Sequence, residues 1–286
     1  MRYAKPKSLD EALALLGQDR WRLIAGGTDF YPAQGNRPLR DNVLDINGLG
    51  ELRHITETES HVILGARTTW SDVAAARGLP PAFDMLRLAA REVGSIQIQN
   101  AGTVAGNLCN ASPAADGVPP LLTLDAEVEL RSAAGARVLP LDRFLLGNRR
   151  TALQPGEMVT AVLVPKRAAA GASHFVKLGA RRYLVISIAM TAARVAVDAA
   201  GRVAEAAVAV GACSAVAVRL SGLEAAMRGR PADAALAELI EGYGFPELSP
   251  IDDVRGTAGY RRAAAREIAV RAVTGALDTA ARSMAA

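Results

Sequence analysis

The sequence predicts an α+β protein in two unequal parts, and three observations carry that expectation. The chain has 286 residues, 50% of them apolar, which is enough for a full core and for two domains of ordinary size. Short strand-like and helix-like segments alternate as far as about residue 165. Beyond residues 165–171, a mixed Lys, Arg, Ala and Gly stretch that reads as an interdomain linker, the texture changes to long Val- and Ala-rich strand patterns followed by helical spacing.

Taken in order, residues 8–17 suit a short helix, with Ser8 as N-cap, Glu11 as its capping-box partner and Gly17 as the stop. Residues 21–25 form a strand that runs directly into Gly26, Gly27, Thr28 and Asp29, where a loop leaving a sheet can turn its amides outward. Residues 42–46 and 61–64 are further strands, and Glu57 and Glu59 belong to a solvated hairpin before the second of them. A helix opens near Thr69 and ends near Gly78, and Pro80-Pro81 fixes the start of another that reaches Val93. Residues 94–116 lack helical periodicity and are rich in Gly, Asn, Ser and Pro, which predicts a long functional loop. Residues 119–124 follow as a helical turn, 127–131 as an edge strand and 158–164 as a strand after the Pro155-Gly156-Glu157 turn. In the second part, residues 186–197 and 203–211 read as strands, and 220–227, 232–241 and 260–272 as helices.

Composition narrows the function. The net charge of +4 is small for this length and comes from arginine, lysine standing only at positions 5, 7, 166 and 177. Arg255, Arg261, Arg262, Arg266 and Arg271 cluster near the C-terminus, but Glu267 and alanines intervene and no aromatic platform accompanies them. A solvated or subunit-facing helix is expected there, and nucleic acid is not an expected partner. Cys109 and Cys213 are too far apart in sequence for a metal-ligand spacing or a disulfide framework, and Cys109 reads as a small buried filler. His54, His61 and His174 have no acid at a convincing spacing, so no general-base histidine is expected. No run approaches the ~18 apolar residues that span a bilayer, and residues 1–7 carry no signal core. A cytoplasmic protein without a membrane span is expected.

Two glycine-bearing segments carry the chemistry: Leu23-Ile24-Ala25-Gly26-Gly27-Thr28-Asp29-Phe30 and Asn100-Ala101-Gly102-Thr103-Val104-Ala105-Gly106-Asn107. Each sets bare backbone beside Thr, Asp or Asn, which is what bringing several N–H groups up to a pyrophosphate requires. Neither has the G-x-G-x-x-G spacing of a Rossmann turn, and Gly48-Leu49-Gly50-Glu51-Leu52-Arg53 fails it at the last position. No G-x-x-x-x-G-K-[ST] stretch occurs, so ATP or GTP hydrolysis has no support. Two phosphate-grade turns point to one extended dinucleotide.

Together with Ala111-Ser112-Pro113-Ala114-Ala115-Asp116, these segments resemble the FAD-binding subunit of the molybdenum-containing hydroxylases, the family of xanthine dehydrogenase, carbon monoxide dehydrogenase and aldehyde oxidoreductase. The resemblance continues through Pro119-Pro120-Leu121-Leu122, Gly156-Glu157-Met158-Val159, Phe175-Val176-Lys177 and Ile251-Asp252-Asp253-Val254-Arg255, and so covers nearly the whole chain. It implies an FAD site of the vanillyl-alcohol-oxidase (PCMH) type over residues 1–167, with subdomains of about 1–57 and 58–167, and a smaller α+β C-terminal domain over 172–286. It implies that Ala25, Gly26, Gly27, Thr28 and Asp29 hold the pyrophosphate, and that Thr103, Val104, Ala105, Gly106 and Asn107 close over it. Asp116 is implied beside the flavin or its ribityl arm, and Met158, Val159 and Lys177 along the flavin ring or the nucleotide end. Many relatives have a second glycine where this chain has Ala105, so its methyl requires a negative φ at that position; Gln99 stands where an arginine is usual.

The implied function is that of an oxidoreductase subunit which positions FAD, with no catalytic side chain or metal ligand of its own. Molybdopterin is implied on a large partner and [2Fe–2S] clusters on a small one, with NAD or oxygen as acceptor. Blander readings stand beside these: Asp116 as a cap for the turn at 119–124, and Lys177 as a surface lysine. A stand-alone FAD oxidase would need a base over the flavin, and no His or Tyr pair supplies one. An assembly subunit with a degraded FAD site is the third reading.

Overall fold

The chain builds three main sheets in succession and a separate two-stranded ribbon, and the computed structural model describes residues 1–285 of it. The first sheet is parallel, with strands β1 (Tyr3–Ala4), β2 (Trp21–Ile24) and β3 (Asn42–Asp45) in the order β1-β3-β2. Helices α1 (Leu9–Gln18) and α2 (Phe30–Gln34) make the crossovers. The Ser8 hydroxyl caps α1 by accepting the Glu11 N–H at 3.2 Å. The Glu11 carboxylate takes the N–H of Lys7 instead of that of Ser8, and the helix runs past Gly17 to Gln18. The loop at Gly26 leaves the carboxyl end of β2, the end of a parallel sheet where ligands are commonly held.

The second sheet is antiparallel. It opens with the hairpin β4 (Ile55–Glu57) and β5 (His61–Gly65), in which residues 55–57 pair with residues 62–64. Helices α3 (Trp70–Ala75), α4 (Asp84–Glu92), α5 (Ile96–Ala101), α6 (Val104–Asn110) and α7 (Val118–Thr123) come next. Strands β6 (Glu127–Ser132), β7 (Gly135–Pro140) and β10 (Met158–Pro165) complete it, with the short helix α8 (Leu141–Phe144) and a separate ribbon of β8 (Leu145–Gly147) and β9 (Arg150–Thr151) lying between β7 and β10 in sequence. The sheet order is β4-β5-β10-β6-β7, with the almost wholly buried β10 at the centre.

Two expectations are corrected here. Residues 94–116 are not one long loop: α5 and α6 occupy much of it, started by the Ser95 and Thr103 hydroxyls. Helices of six and seven residues, separated by Gly102, are too short to show the 3.6-residue rhythm. Nor is residue stretch 127–131 an edge strand, because β6 lies between β10 and the true edge β7. Strand β7 has no buried residue, so it offers no apolar alternation to read.

The third sheet contains β11 (Ala172–Leu178), β12 (Ala189–Val197), β13 (Val203–Gly211) and β14 (Val218–Arg219) in sequence order, all antiparallel. Helices α9 (Ser221–Met227), α10 (Ala235–Gly242) and α11 (Ala258–Ala285) cover it, α11 lying along β11 and β12. Alanines make that approach close: Ala193 on the sheet and Ala265, Ala269, Ala272 and Ala276 on the helix are all fully buried. At Gly275 an added Cβ would stand 2.6 Å from the His174 ring. Helix α11 is longer than the expected 260–272, and its arginines are not simply solvated. Arg261 is 1% exposed and donates from Nη1 to Ile188 O and Ala212 O, both at 2.9 Å, and from Nη2 to Asp253. Arg262 likewise donates to Phe245 O at 2.7 Å and Leu248 O at 2.8 Å. A guanidinium can bury itself against several carbonyls at once, which charge counting along a sequence does not reveal.

Cations of the third sheet dock it onto the second. Arg194 Nε donates to Thr123 O at 3.2 Å and Arg219 Nη1 to Leu122 O at 2.9 Å, both at the carbonyl end of α7. Lys177 Nζ donates to Glu92 O at 3.1 Å, at the carbonyl end of α4. Each positive group meets the negative end of a helix dipole. Among the described residues no helix is long and apolar enough to cross a membrane.

Arg261→Met should lower stability by about 3 kcal/mol, because it strands two buried carbonyls and removes a partner of Asp253; the thermal unfolding of the variant checks this. Arg255, burial notwithstanding, and then Arg261 hold the Asp253 carboxyl well below the usual carboxylate range. Its contribution is therefore present above the unfolded carboxylate pKa of about 4 and fades as pH falls below it. Asp253→Asn should flatten the acid side of the stability–pH curve, and an unchanged acid limb would contradict the assignment.

Candidate functional site

The two glycine segments, widely separated in sequence, meet in space. A Cβ built on Gly26 would lie 1.8 Å from Ala101 O, so the backbones touch there and only glycine fits. Gly27 has φ +72°, and beside it the Tyr31 ring would stand 2.7 Å from a Cβ. On the opposing segment, a Cβ on Gly102 would be 3.3 Å from Thr28 Oγ1 and 3.5 Å from Trp70 Cδ1. Trp70 is 1% exposed and also fills the space that a side chain on Gly117 would need.

Backbone bonds fix this second segment. The Trp70 N–H donates to Gly102 O at 3.1 Å and the Val104 N–H to Thr68 O at 2.9 Å, an antiparallel bridge between Thr69 and Thr103. The Thr103 hydroxyl then accepts the Gly106 N–H at 3.0 Å and starts α6. Ala105 lies inside α6 and has no positive φ, so its methyl is accommodated. Gln99 is buried, its side chain donating to Arg91 O at 3.0 Å.

Between the segments lies a cleft of about 480 Å³. Ala25, Gly26, Gly27, Thr28, Asp29, Thr103, Ala105, Gly106, Asn107 and Val159 line it. Val104 and Met158 are fully buried beside it and do not reach it. Asp116 and Lys177 also lie off its lining and are joined to one another. Lys177 Nζ donates to Asp116 Oδ2 at 2.6 Å, the Ser187 hydroxyl donates to Oδ1 at 2.6 Å, and neither member of the ion pair has more than 9% of its side chain exposed. Burial pushes the Asp116 carboxyl up, while Lys177 and Ser187 draw it down. Neither bland reading holds for this pair: Asp116 does not cap α7, and Lys177 is not a surface lysine.

The donor set suits a pyrophosphate. The N–H groups of Gly26, Gly27, Thr28 and Asp29 make no hydrogen bond within the described residues, and neither does that of Ala105. Successive unpaired amides on a glycine turn form a concave, partly positive nest for an anion. Asn107 lines the same cleft, and its Oδ1, turned toward Gly117, is buried without a partner. Ile24, Ala66, Trp70, Val93, Ile98 and Val159 give apolar wall to match the rings of a dinucleotide. The charged lining residues are Arg22, whose guanidinium lies 4.2 Å over the Phe30 ring, and Asp29. No His, Tyr, Lys or Glu is among the lining residues, and Asp29 is the one carboxylate on the cleft.

Sequence reasoning missed several of these. Trp70, Val93 and Ile98 carry no motif, being ordinary apolar residues in or beside short helices that only tertiary packing brings to the cleft. Cys109 is corrected outright: it is exposed and lines the cleft.

Comparisons with known proteins agree with this geometry. The family model of the FAD binding domain in molybdopterin dehydrogenase matches residues 1–167, and that of the CO dehydrogenase flavoprotein C-terminal domain matches residues 174–276. The nicotinate dehydrogenase FAD-subunit of Eubacterium barkeri is 39% identical over 68% of this chain and 69% of its own. The carbon monoxide dehydrogenase medium chain of Hydrogenophaga pseudoflava is 28% identical over 96% of both. Among solved structures, carbon monoxide dehydrogenase from the same organism superposes with a TM-score of 0.88 at 29% identity, covering 96% of each chain. Quinoline 2-oxidoreductase from Pseudomonas putida 86 does so with a TM-score of 0.89 at 25% identity, covering 98% of each.

Gly26→Ala should destabilise the protein by roughly 1–3 kcal/mol, because the Ala101 carbonyl must move to admit the methyl. Gly50→Ala, where nothing stands within 4 Å of the added carbon, serves as the control and should change thermal unfolding little.

Proposed function

The chain belongs to the family of FAD binding domains in molybdopterin dehydrogenase, and from that premise we propose that it is the electron-transferring flavin subunit of a heteromeric molybdenum hydroxylase. The observation that carries the reading is the run of unpaired amides from Gly26 to Asp29 set against the Gly102–Thr103 backbone. FAD, when bound, supplies reversible uptake and release of electrons, so the protein needs no nucleophile or acid–base pair for that step.

In this reading Gly26, Gly27, Thr28 and Asp29 donate backbone N–H groups to the pyrophosphate, and Ala105 adds one from the opposing segment. Asn107 lines the cleft beside Gly106 and closes over the cofactor with it. The walls at Val93, Ile98 and Val159 exclude water from the rings. Asp116 and Lys177 bound the flavin end of the cleft: Lys177 grips Glu92 O, one residue before the cleft-lining Val93. Val104 and Met158 support the wall from behind. Residues 1–167 form the FAD domain and 172–286 the C-terminal domain, in keeping with sheets that end at Pro165 and begin again at Ala172.

The partners in this assignment are a large subunit carrying molybdopterin, which oxidises the substrate, and a small subunit carrying [2Fe–2S] clusters, which relays electrons to this chain. The acceptor is NAD, oxygen or another electron acceptor, and the complex works in the cytoplasm. The lack of a His or Tyr among the cleft-lining residues disfavours a stand-alone oxidase acting on its own organic substrate.

Two measurements test this reading. Co-expression with candidate partner subunits should yield a yellow complex that releases one FAD per copy of this chain and contains molybdenum and iron. Substrate turnover by the chain without either metal would overturn the electron-transfer assignment. FAD should also slow maleimide labelling of Cys109 in the cleft while the buried Cys213 stays unlabelled with or without it; labelling of Cys109 at one rate in both conditions would place FAD elsewhere.

A further inference from the structure

The first glycine turn is held from outside the cleft by a single side chain. Asn47 Nδ2 donates to Ala25 O at 2.7 Å, although Asn47 itself does not line the cleft. The Ala25–Gly26 peptide is planar and trans, so its C=O and N–H point in opposite directions. Fixing Ala25 O against Asn47 therefore aims the Gly26 N–H away from Asn47. That N–H is the first of the unpaired amides, and Ala25 and Gly26 both line the cleft.

Asn47 is in turn fixed on three sides. Its own N–H donates to Asp45 Oδ1 at 2.9 Å, and the Tyr3 hydroxyl steadies the other carboxylate oxygen of Asp45 at 2.7 Å. From the second sheet, Arg67 Nη1 donates to Leu49 O at 2.9 Å, at the end of the turn that carries Asn47. Arg67 Nη2 stands 3.5 Å from Asn47 Oδ1, a weak contact with the right polarity. That polarity decides the amide orientation: Ala25 O can only accept and Arg67 can only donate, so Nδ2 must face Ala25 and Oδ1 must face Arg67.

We propose that Asn47, braced by Arg67, is a positioning residue that orients the Gly26 amide for the pyrophosphate. The pair spans the two subdomains, since Asn47 follows β3 and Arg67 follows β5. It keeps the first glycine turn in register with the second. The proposal rests on the FAD reading above and adds to it a residue that touches no cofactor.

The test uses the full chain, purified with the subunits that accompany it and stripped of flavin, with FAD, ADP and riboflavin as probes. Asn47→Ala should weaken FAD and ADP binding by roughly 2- to 10-fold, the worth of one hydrogen bond, and leave riboflavin, which has no phosphate, unchanged. Asn47→Asp keeps the size but cannot donate to Ala25 O, and it should show the same phosphate-specific loss. Arg67→Met should weaken ADP binding in the native background and have no further effect in the Asn47→Ala background. Unchanged ADP affinity in both Asn47 variants, or an equal loss for riboflavin, overturns the positioning role; additive losses from Asn47 and Arg67 overturn the brace. A parent protein that binds neither FAD nor ADP removes the FAD reading and this inference with it, whereas a parent that binds both leaves the FAD reading standing and tests Asn47 alone.

Discussion

Everything about the cleft depends on one close approach, the backbone of Gly26 against the carbonyl of Ala101. With no side chain between them, the loop leaving the parallel sheet and the turn between α5 and α6 become two lips of one opening. Trp70 keeps the second lip in place by filling the space beside Gly102 and Gly117, and the Thr69–Thr103 bridge ties it to the start of α3. A wider separation would give two isolated turns, each able to hold one phosphate weakly. The contact makes them a single concave surface, and its unpaired amides remain available because neither lip uses them internally.

The C-terminal part reaches this surface indirectly. Lys177, Arg194 and Arg219 cover the carbonyl ends of α4 and α7, and the Asp116–Lys177 pair is buried where the two parts meet. A buried ion pair gives little net stability, because desolvating both charges offsets most of their attraction. Its effect is on placement. Glu92, whose carbonyl Lys177 holds, immediately precedes Val93 on the cleft wall, so the position of that wall is set by a residue of the third sheet.

Much of the fold could be read from the chain because local chemistry and global packing agree there. The strand into Gly26, the β4–β5 hairpin, the central β10 and the long strands β12 and β13 all lie within a few residues of where the sequence puts them. Legibility failed where a structure is short or where burial is polar. Helices α5 and α6 give their residues too few turns to show a stripe, and β7 has no buried side chain to alternate. Arg261 looked like part of a solvated face, yet backbone carbonyls far away in sequence make its burial tolerable. At the cleft, the backbone donors were legible because glycine announces them. Val93, Ile98 and Cys109 were not, since an apolar wall has no residue signature until the helices bearing it are assembled.

The contact between His174 and Gly275 joins positions separated by about 100 residues of chain, and closures of that span are slow to form. Strand β11 carries His174, which Gly275 covers, and also Lys177, which grips the end of α4. A nascent chain can therefore pair its first two sheets and shape both glycine lips while β11 still lacks its covering helix. At that stage the two lips are finished, but the wall at Val93 still lacks the hold that Lys177 gives it through Glu92 O.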